Sequence, residues 1–309
     1  MGNRQQSGVP AFPTGRVDAI LDTDTYNEID DQFALAYLLR SADRVRVRGI
    51  CAAPFYNSNS ASPEDGMERS YEEILHLLSL AGREELVADV YRGSRGYLVD
   101  EQTPQPSEAA EAIGRMARGY SAACPLYVVA IGAITNVASA LLYYPEIREK
   151  IVVVWLGGHG LHMPDTREFN MEQDIAAARV VFSCGVPLVQ LPCAGVVDVF
   201  RLSRPELTAW LLGKDALCTY LAGNTIRTAE SYAAGKPWSR VIWDVTAVGF
   251  LMNRDGRLMH GRAEAVRLPT YDGHYSQQAE DRQYLYIDVI HRDALMEDLL
   301  RSLTGEETV

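Results

Sequence analysis

The run Ile20-Leu21-Asp22-Thr23-Asp24-Thr25-Tyr26-Asn27-Glu28-Ile29-Asp30-Asp31 constrains this chain more than any other, because four aspartates bracket one turn. The mainly apolar stretch from Val17 to Leu21 has the character of a buried strand. From Asp30 onward, Phe33, Ala34, Tyr37 and Leu38 recur with helical spacing. A carboxylate at a helix N-terminus is favoured by the dipole and the free N–H groups, so Asp30 alone is accounted for as a cap. Four such groups on one turn repel one another unless a positive charge offsets them. A hard divalent cation with oxygen ligands is the usual agent.

Downstream, apolar runs alternate with helical patterns. Val45 to Ala53 gives a second strand that Pro54 ends, and the polar loop Phe55-Tyr56-Asn57-Ser58-Asn59-Ser60 follows. Ser62 and Pro63 open a helix that runs to Ala81. Leu86 to Val90 is expected as a short strand, and Ser107 to Tyr120 as a helix. Leu126 to Ile131 and Ile151 to Leu156 have the unbroken apolar character of central parallel strands, with Thr135 to Leu142 as a helix between them. Asp174 to Cys184 is expected as a helix, Pro187 to Leu191 as a strand, and the region from Leu202 to Ala234 as helical. A helix from Val245 to Met252, a hairpin from Ala265 to Val289 and a last helix from Asp293 to Leu303 complete the chain. Parallel strands need crossover connections, so the alternation predicts an α/β fold with a mainly parallel, doubly wound sheet flanked by helices. In such sheets ligands bind beyond the carboxyl ends of the strands, where the aspartates lie.

Four motifs in order resemble the inosine-uridine type nucleoside hydrolases. The first is the Asp-x-Asp turn and Asp30-Asp31 helix start just described; the second is Val129-Ala130-Ile131-Gly132-Ala133-Ile134-Thr135-Asn136. Glu168-Phe169-Asn170 with Asp174 is similar to the family's Glu-Phe-Asn motif, and Trp243-Asp244 stands where the family places its final metal-binding aspartate. One departure is visible: the family pattern has three residues between the inner aspartates, whereas Thr25 to Ile29 make five here.

The resemblance implies metal-dependent hydrolysis of the N-glycosidic bond of ribonucleosides. It assigns a cation to Asp24, Asp31, Asp244 and the Ile131 carbonyl, with Asp24 also the catalytic base that takes a proton from a bound water. Calcium suits such a set, because it takes six to eight oxygens at about 2.3 to 2.6 Å with flexible geometry. The ribose would be held by Asp30, Glu168 and Asn170, and by Asn57 or Asn59, between which the sequence does not choose. His162 is aligned with a group that reaches the 5′-hydroxyl. Some relatives have a histidine before the last aspartate, suited to protonating the leaving base; here Trp243 stands there and suits stacking on a purine instead. A homo-oligomer, dimer or tetramer, is the family's habit.

Composition fits a small uncharged ligand. The formal net charge of −12 argues against tracking nucleic-acid phosphates. Five scattered cysteines without a Cys-x-x-Cys pair argue against a disulfide framework or a zinc site and for a reducing compartment. With no apolar leader in residues 1–16 and no run long enough to span a bilayer, a cytoplasmic protein is expected. Residues 1–16 are expected as a flexible lead-in to a single catalytic domain over 17–309.

Two other readings stay open on the residues. Asp22-Thr23-Asp24-Thr25 after a first strand also resembles the nucleophile motif of haloacid-dehalogenase-type phosphatases. That chemistry wants a lysine and a late acidic pair, and Lys150, Lys214 and Lys236 lack one. A catalytically weak nucleoside- or sugar-binding homologue is the third reading, motivated by the longer turn and by Trp243 and His162.

Overall fold

The computed structural model describes residues 9–306. The chain begins β1 (Val17–Thr23), α1 (Asp30–Arg40), β2 (Val45–Ala52), α2 (Pro63–Ala81), β3 (Val90–Tyr91), α3 (Glu108–Ala117) and β4 (Leu126–Ala130). It continues with α4 (Thr135–Tyr143), β5 (Ile151–Leu156), α5 (Phe169–Gln173), α6 (Ile175–Ser183), β6 (Leu188–Leu191), β7 (Arg201–Ser203) and α7 (Arg204–Glu206). After these come α8 (Ala216–Ala233), β8 (Ser239–Val241), α9 (Val245–Met252), β9 (Met259–Ala265), β10 (Gln283–Ile290) and α10 (Arg292–Thr304).

Eight strands form one sheet in the order β3-β2-β1-β4-β5-β6-β10-β9, while β7 and β8 pair separately. All of its neighbours run parallel except β10 and β9. The doubly wound expectation is therefore met, with an antiparallel pair added at one edge.

The pleat divides the core in two. Leu21, Val129 and Val154 join one apolar cluster with Phe33, Ile74, Leu221, Phe250 and Leu299, from α1, α2, α8, α9 and α10. Their neighbours Ile20, Val128 and Val153 point to the other face and pack with Ile113, Val137 and Val181, from α3, α4 and α6. Side chains alternate across a strand, so strands covered on both faces must be apolar throughout, as β4 and β5 are. Each fully buried Leu, Ile or Phe here contributes about 1.5 to 3 kcal/mol relative to exposure.

Several boundaries differ from expectation. Glu84–Asp89 is a 3₁₀ helix and the strand is confined to Val90–Tyr91; a short apolar run does not distinguish the two by periodicity. The region expected helical from Leu202 breaks into β7, α7 and a π-helical turn before α8. Gly213, at φ 83°, ends the first part, and the Asp215 carboxylate accepts from Cys218 N to cap α8. The closing hairpin starts earlier than Ala265, since β9 runs Met259–Ala265.

Of the lead-in expected over 1–16, residues 1–8 lie outside the described residues. Within the remainder, Phe12 packs on Phe250 with ring centroids 5.1 Å apart. Among the described residues no helix is long and apolar enough to cross a membrane.

Candidate active site

The sheet order reverses direction between β1 and β4, and the chain leaves those two strands for helices on opposite faces. A crevice at such a switch point is where open α/β sheets bind ligands. Asp22 and Thr23 end β1, Asp24 follows it, Ile131 follows β4, and Gly157 to His159 follow β5.

Asp22, Asp24, Asp30, Asp31 and Asp244 are all buried. Asp22 Oδ1 accepts from Asn136 Nδ2 at 2.8 Å, and that amide also donates to Ala52 O at 3.2 Å. Burial pushes the Asp22 carboxyl up to about 7, against the Asn136 hydrogen bond. Ser94 N and Oγ both donate to Asn136 Oδ1, at 2.8 and 2.9 Å. Asn136 thus joins the end of β1, the end of β2 and the loop after β3.

Neither carboxylate oxygen of Asp24 has a hydrogen-bond partner. Burial raises its pKa well above the carboxylate range, and the neighbouring Asp31 and Asp30 carboxylates add to the shift. A Cβ at Gly132 would stand 3.0 Å from Asp24 Oδ1, so the turn after β4 needs glycine to approach so closely. Thr23 Oγ1 donates to Asp31 Oδ1 at 2.5 Å. Trp243 N donates to Asp30 Oδ2 at 3.2 Å, which docks the start of α9 onto the start of α1. One carboxylate oxygen from each of Asp30, Asp31 and Asp244 lies within 4.8 Å of the others. Burial, then the adjacent acids, raises Asp31 and Asp244 far above the usual range. Burial and Glu28 bring Asp30 to about 6.

These observations fit a hard cation. An unpartnered buried carboxylate costs about 1 to 3 kcal/mol or more, and like charges gathered beside it add to that cost unless an ion neutralises them. All the available donors are oxygens, as calcium or magnesium requires.

A cavity of about 280 Å³ opens above the cluster. Of the residues singled out in the sequence, Asp30, Asp31, Asn57, Ile131, Glu168, Asn170, Trp243 and Asp244 line it. Asp24 does not line it and is fully buried. Asn59 does not line it; its Nδ2 donates to Asn27 O at 2.9 Å, and it faces a neighbouring depression. His162 is placed elsewhere, exposed in a separate depression beside Gly195 and Arg262. The histidine that lines the cavity is His159, which follows β5 directly and accepts from Ala194 N at Nδ1. Burial lowers the His159 pKa, with Asp165 acting the other way.

Glu168 is committed to the backbone. Gly158 N and Met171 N donate to its Oε2 at 2.9 and 3.0 Å, and Asn170 N to its Oε1 at 2.9 Å, so the carboxylate caps α5. Gly158 adopts φ 75°, which turns its N–H toward that carboxylate. Asn170 Nδ2 in turn donates to the carbonyls of Ile131 and Leu156, both at 3.1 Å, leaving Oδ1 as its open polar atom. The Ile131 carbonyl keeps a second lone pair.

Sequence reasoning passed over Asn27, Glu28, His159, Arg167 and Cys193, all on the cavity wall. His159 and Cys193 follow the carboxyl ends of β5 and β6, so the strand-end rule would have found them. Asn27 and Glu28 belong to the lengthened turn itself.

The sequence is 32% identical over 190 residues to the pyrimidine-specific ribonucleoside hydrolase RihB of Escherichia coli O139:H28, covering 56% of this chain and 58% of that one. The same identity relates it to a putative pyrimidine-specific ribonucleoside hydrolase RihB of Shigella boydii, of which 74% is covered. Among solved structures, a plant nucleoside hydrolase, PpNRh1, superposes with a TM-score of 0.74 at 18% identity, covering 95% of this chain and 100% of that one. A purine-preferring ribonucleoside hydrolase from Gardnerella vaginalis gives 0.73 at 21% identity, over 94% and 98% of the two chains. These likenesses establish the shared fold. The sequence model described as inosine-uridine preferring nucleoside hydrolase matches residues 19–292, and with the relatives above it shows that this chain belongs to that family of enzymes.

Proposed function

We propose that this chain hydrolyses the N-glycosidic bond of ribonucleosides, releasing free base and ribose, with purine nucleosides preferred. The observation that carries the reading is the convergence of Asp30, Asp31 and Asp244, with the unpartnered Asp24 next to Asp31 and Asp30, on a cavity that also presents Asn170 and Trp243. In this reading Asp24, Asp31, Asp244 and the Ile131 carbonyl hold a calcium ion. When bound, that ion supplies positive charge that acidifies water and orients ribose hydroxyls.

The chain's own groups account for the rest. Asp24 takes the proton from the attacking water, whose oxygen bonds to the anomeric carbon. The C–N bond breaks, its electron pair goes to the base, and solvent returns a proton to that base. The departure passes through an oxocarbenium-like state, which the surrounding carboxylates stabilise. Asp30 accepts from a ribose hydroxyl, and Asn170 Oδ1 accepts from another. Glu168, occupied as a cap, orients Asn170 rather than gripping the sugar. Trp243 offers a stacking face for the base, worth about 1 to 3 kcal/mol.

A pyrimidine preference is the second reading, favoured by the RihB relatives' printed specificity. Incubation with inosine, adenosine, guanosine, uridine and cytidine, with calcium or with chelator, and chromatography of the released base, decides between them. No release from any of them would end the proposal.

A further inference from the structure

The cavity is not closed at its far end. Glu168, Cys193, Asp244, Asp30 and Glu28 all line the cavity, and Arg240, which does not line it, pairs with Glu28. With the sugar on the aspartates and Asn170, the remaining wall of the cavity available to a base includes Glu28. There Asn27, Glu28 and Asn57 line both the cavity and a second depression of about 410 Å³.

This second depression has a chemistry of its own. It presents Arg227 and Arg240 against a single carboxylate, Glu28, in a chain of formal charge −12. Arg240 Nη2 donates to Glu28 Oε2 at 2.6 Å, so that charge is offset. Arg227 is exposed and donates to Asn224 Oδ1 at 2.6 Å, with no carboxylate partner among the described residues. The shared wall is also pinned. Asn57 Nδ2 donates to Asn27 Oδ1 at 2.5 Å, and Asn59 Nδ2 to Asn27 O. Asn27 and Glu28, from the lengthened Thr25–Ile29 turn, therefore border both the cavity and the second depression, and Arg227 borders the outer one alone.

We propose that this outer depression receives a carboxylate-bearing substituent on the nucleobase, read by Arg227. The substrates it admits are modified ribonucleosides whose base carries an acidic side group. This rests on the nucleoside hydrolase reading above. Guanidinium and carboxylate form paired, charge-assisted hydrogen bonds, which a neutral ester of the same size does not match.

The test uses the full chain with calcium and measures kcat/KM for unsubstituted uridine and adenosine, for 5-carboxymethyluridine and N6-succinyladenosine, and for the methyl esters of the last two. The acid is expected to be preferred over its ester in the unsubstituted protein, and Arg227→Gln to reduce that acid-to-ester ratio by about tenfold or more. A ratio at or below one in the wild type, or one that Arg227→Gln leaves unchanged, overturns the assignment while turnover of uridine or adenosine upholds the hydrolase reading. If no nucleoside of either kind is cleaved, both fall together.

Discussion

The hydroxyl of Thr23 donates to Asp31 Oδ1 at 2.5 Å, tying the last residue of β1 to the first turn of α1 across the acidic turn. The same hydroxyl lies 2.9 Å from Thr25 Oγ1, so its proton has a fixed direction. Outer hydrogen bonds of this kind orient ion ligands, and their loss costs about ten- to a hundredfold in affinity or activity. Thr23→Val keeps the shape and removes the donor. The expected result is a calcium affinity lower by about that factor, measured by titration, with little change in melting temperature.

Asp24 is the group with most to lose and, without an ion, the one most poorly accommodated. Asp24→Asn is expected to reduce base release by at least about a thousandfold, consistent with loss of both the proton acceptor and a charge on the ion. In chelator the same variant is expected to melt at a higher temperature than the wild type, because it removes a buried carboxylate that lacks any partner. A lower melting temperature in chelator would show that Asp24 is stabilised by contacts outside this account.

Removing the ion should destabilise the whole molecule. Ligand binding to the native state adds stability of about 2.7 kcal/mol at a hundred times Kd. Chelator is expected to lower the melting temperature and abolish base release together, and excess calcium to restore both. The two changes are followed on one sample by fluorescence and chromatography.

Trp243→Ala probes the stacking face. A loss of about 1 to 3 kcal/mol corresponds to a rise in KM of about five- to 150-fold. If purines stack there, the rise is expected to be larger for inosine than for uridine. Equal rises would assign Trp243 to packing beside α9 instead.

Glu73, which borders a depression separate from the cavity, gives a pH signature. Tyr220 OH and Gln32 Nε2 both donate to its Oε1, at 2.7 and 3.1 Å, while burial raises its pKa above 4.5. The folded state therefore holds that proton more tightly than the unfolded chain. The sign follows: its contribution to stability falls as pH rises from about 4.5 through the raised value. Glu73→Gln keeps an acceptor for both donors and removes the ionisation. The variant is expected to match the wild type at pH 4 and to equal or exceed it at pH 7.5 in thermal unfolding.

Much of this was legible before the fold was known, for identifiable reasons. An apolar strand that ends in Asp-x-Asp, and central strands without polar positions, carry their burial in their composition, so β1, β4 and β5 followed, whereas the strand order and its switch point came only with the fold. The family resemblance singled out Ile131, Asn170, Trp243 and Asp244, and the fold brings all four to the wall of one cavity. Side-chain commitments were not legible. Glu168 looks like a sugar ligand in sequence, yet three backbone N–H groups converge on it because Gly158 turns the chain back toward α5. His162 and His159 are three residues apart in one loop, and only the fold of that loop decides which faces the cavity. Glu28 meets Arg240 across 212 positions, a distance over which local pattern carries no information.

The acidic turn at Asp24 to Asp31 and its partner Asp244 stand near opposite ends of the polypeptide, separated by the central strands β4 and β5. During synthesis, the early carboxylates emerge long before their counterpart exists, so a growing chain cannot assemble a complete coordination shell. If the cluster holds calcium as proposed, retention of that ion is a natural gauge of finished folding: a truncated or misassembled product would betray itself by failing to hold it, whatever its helix content.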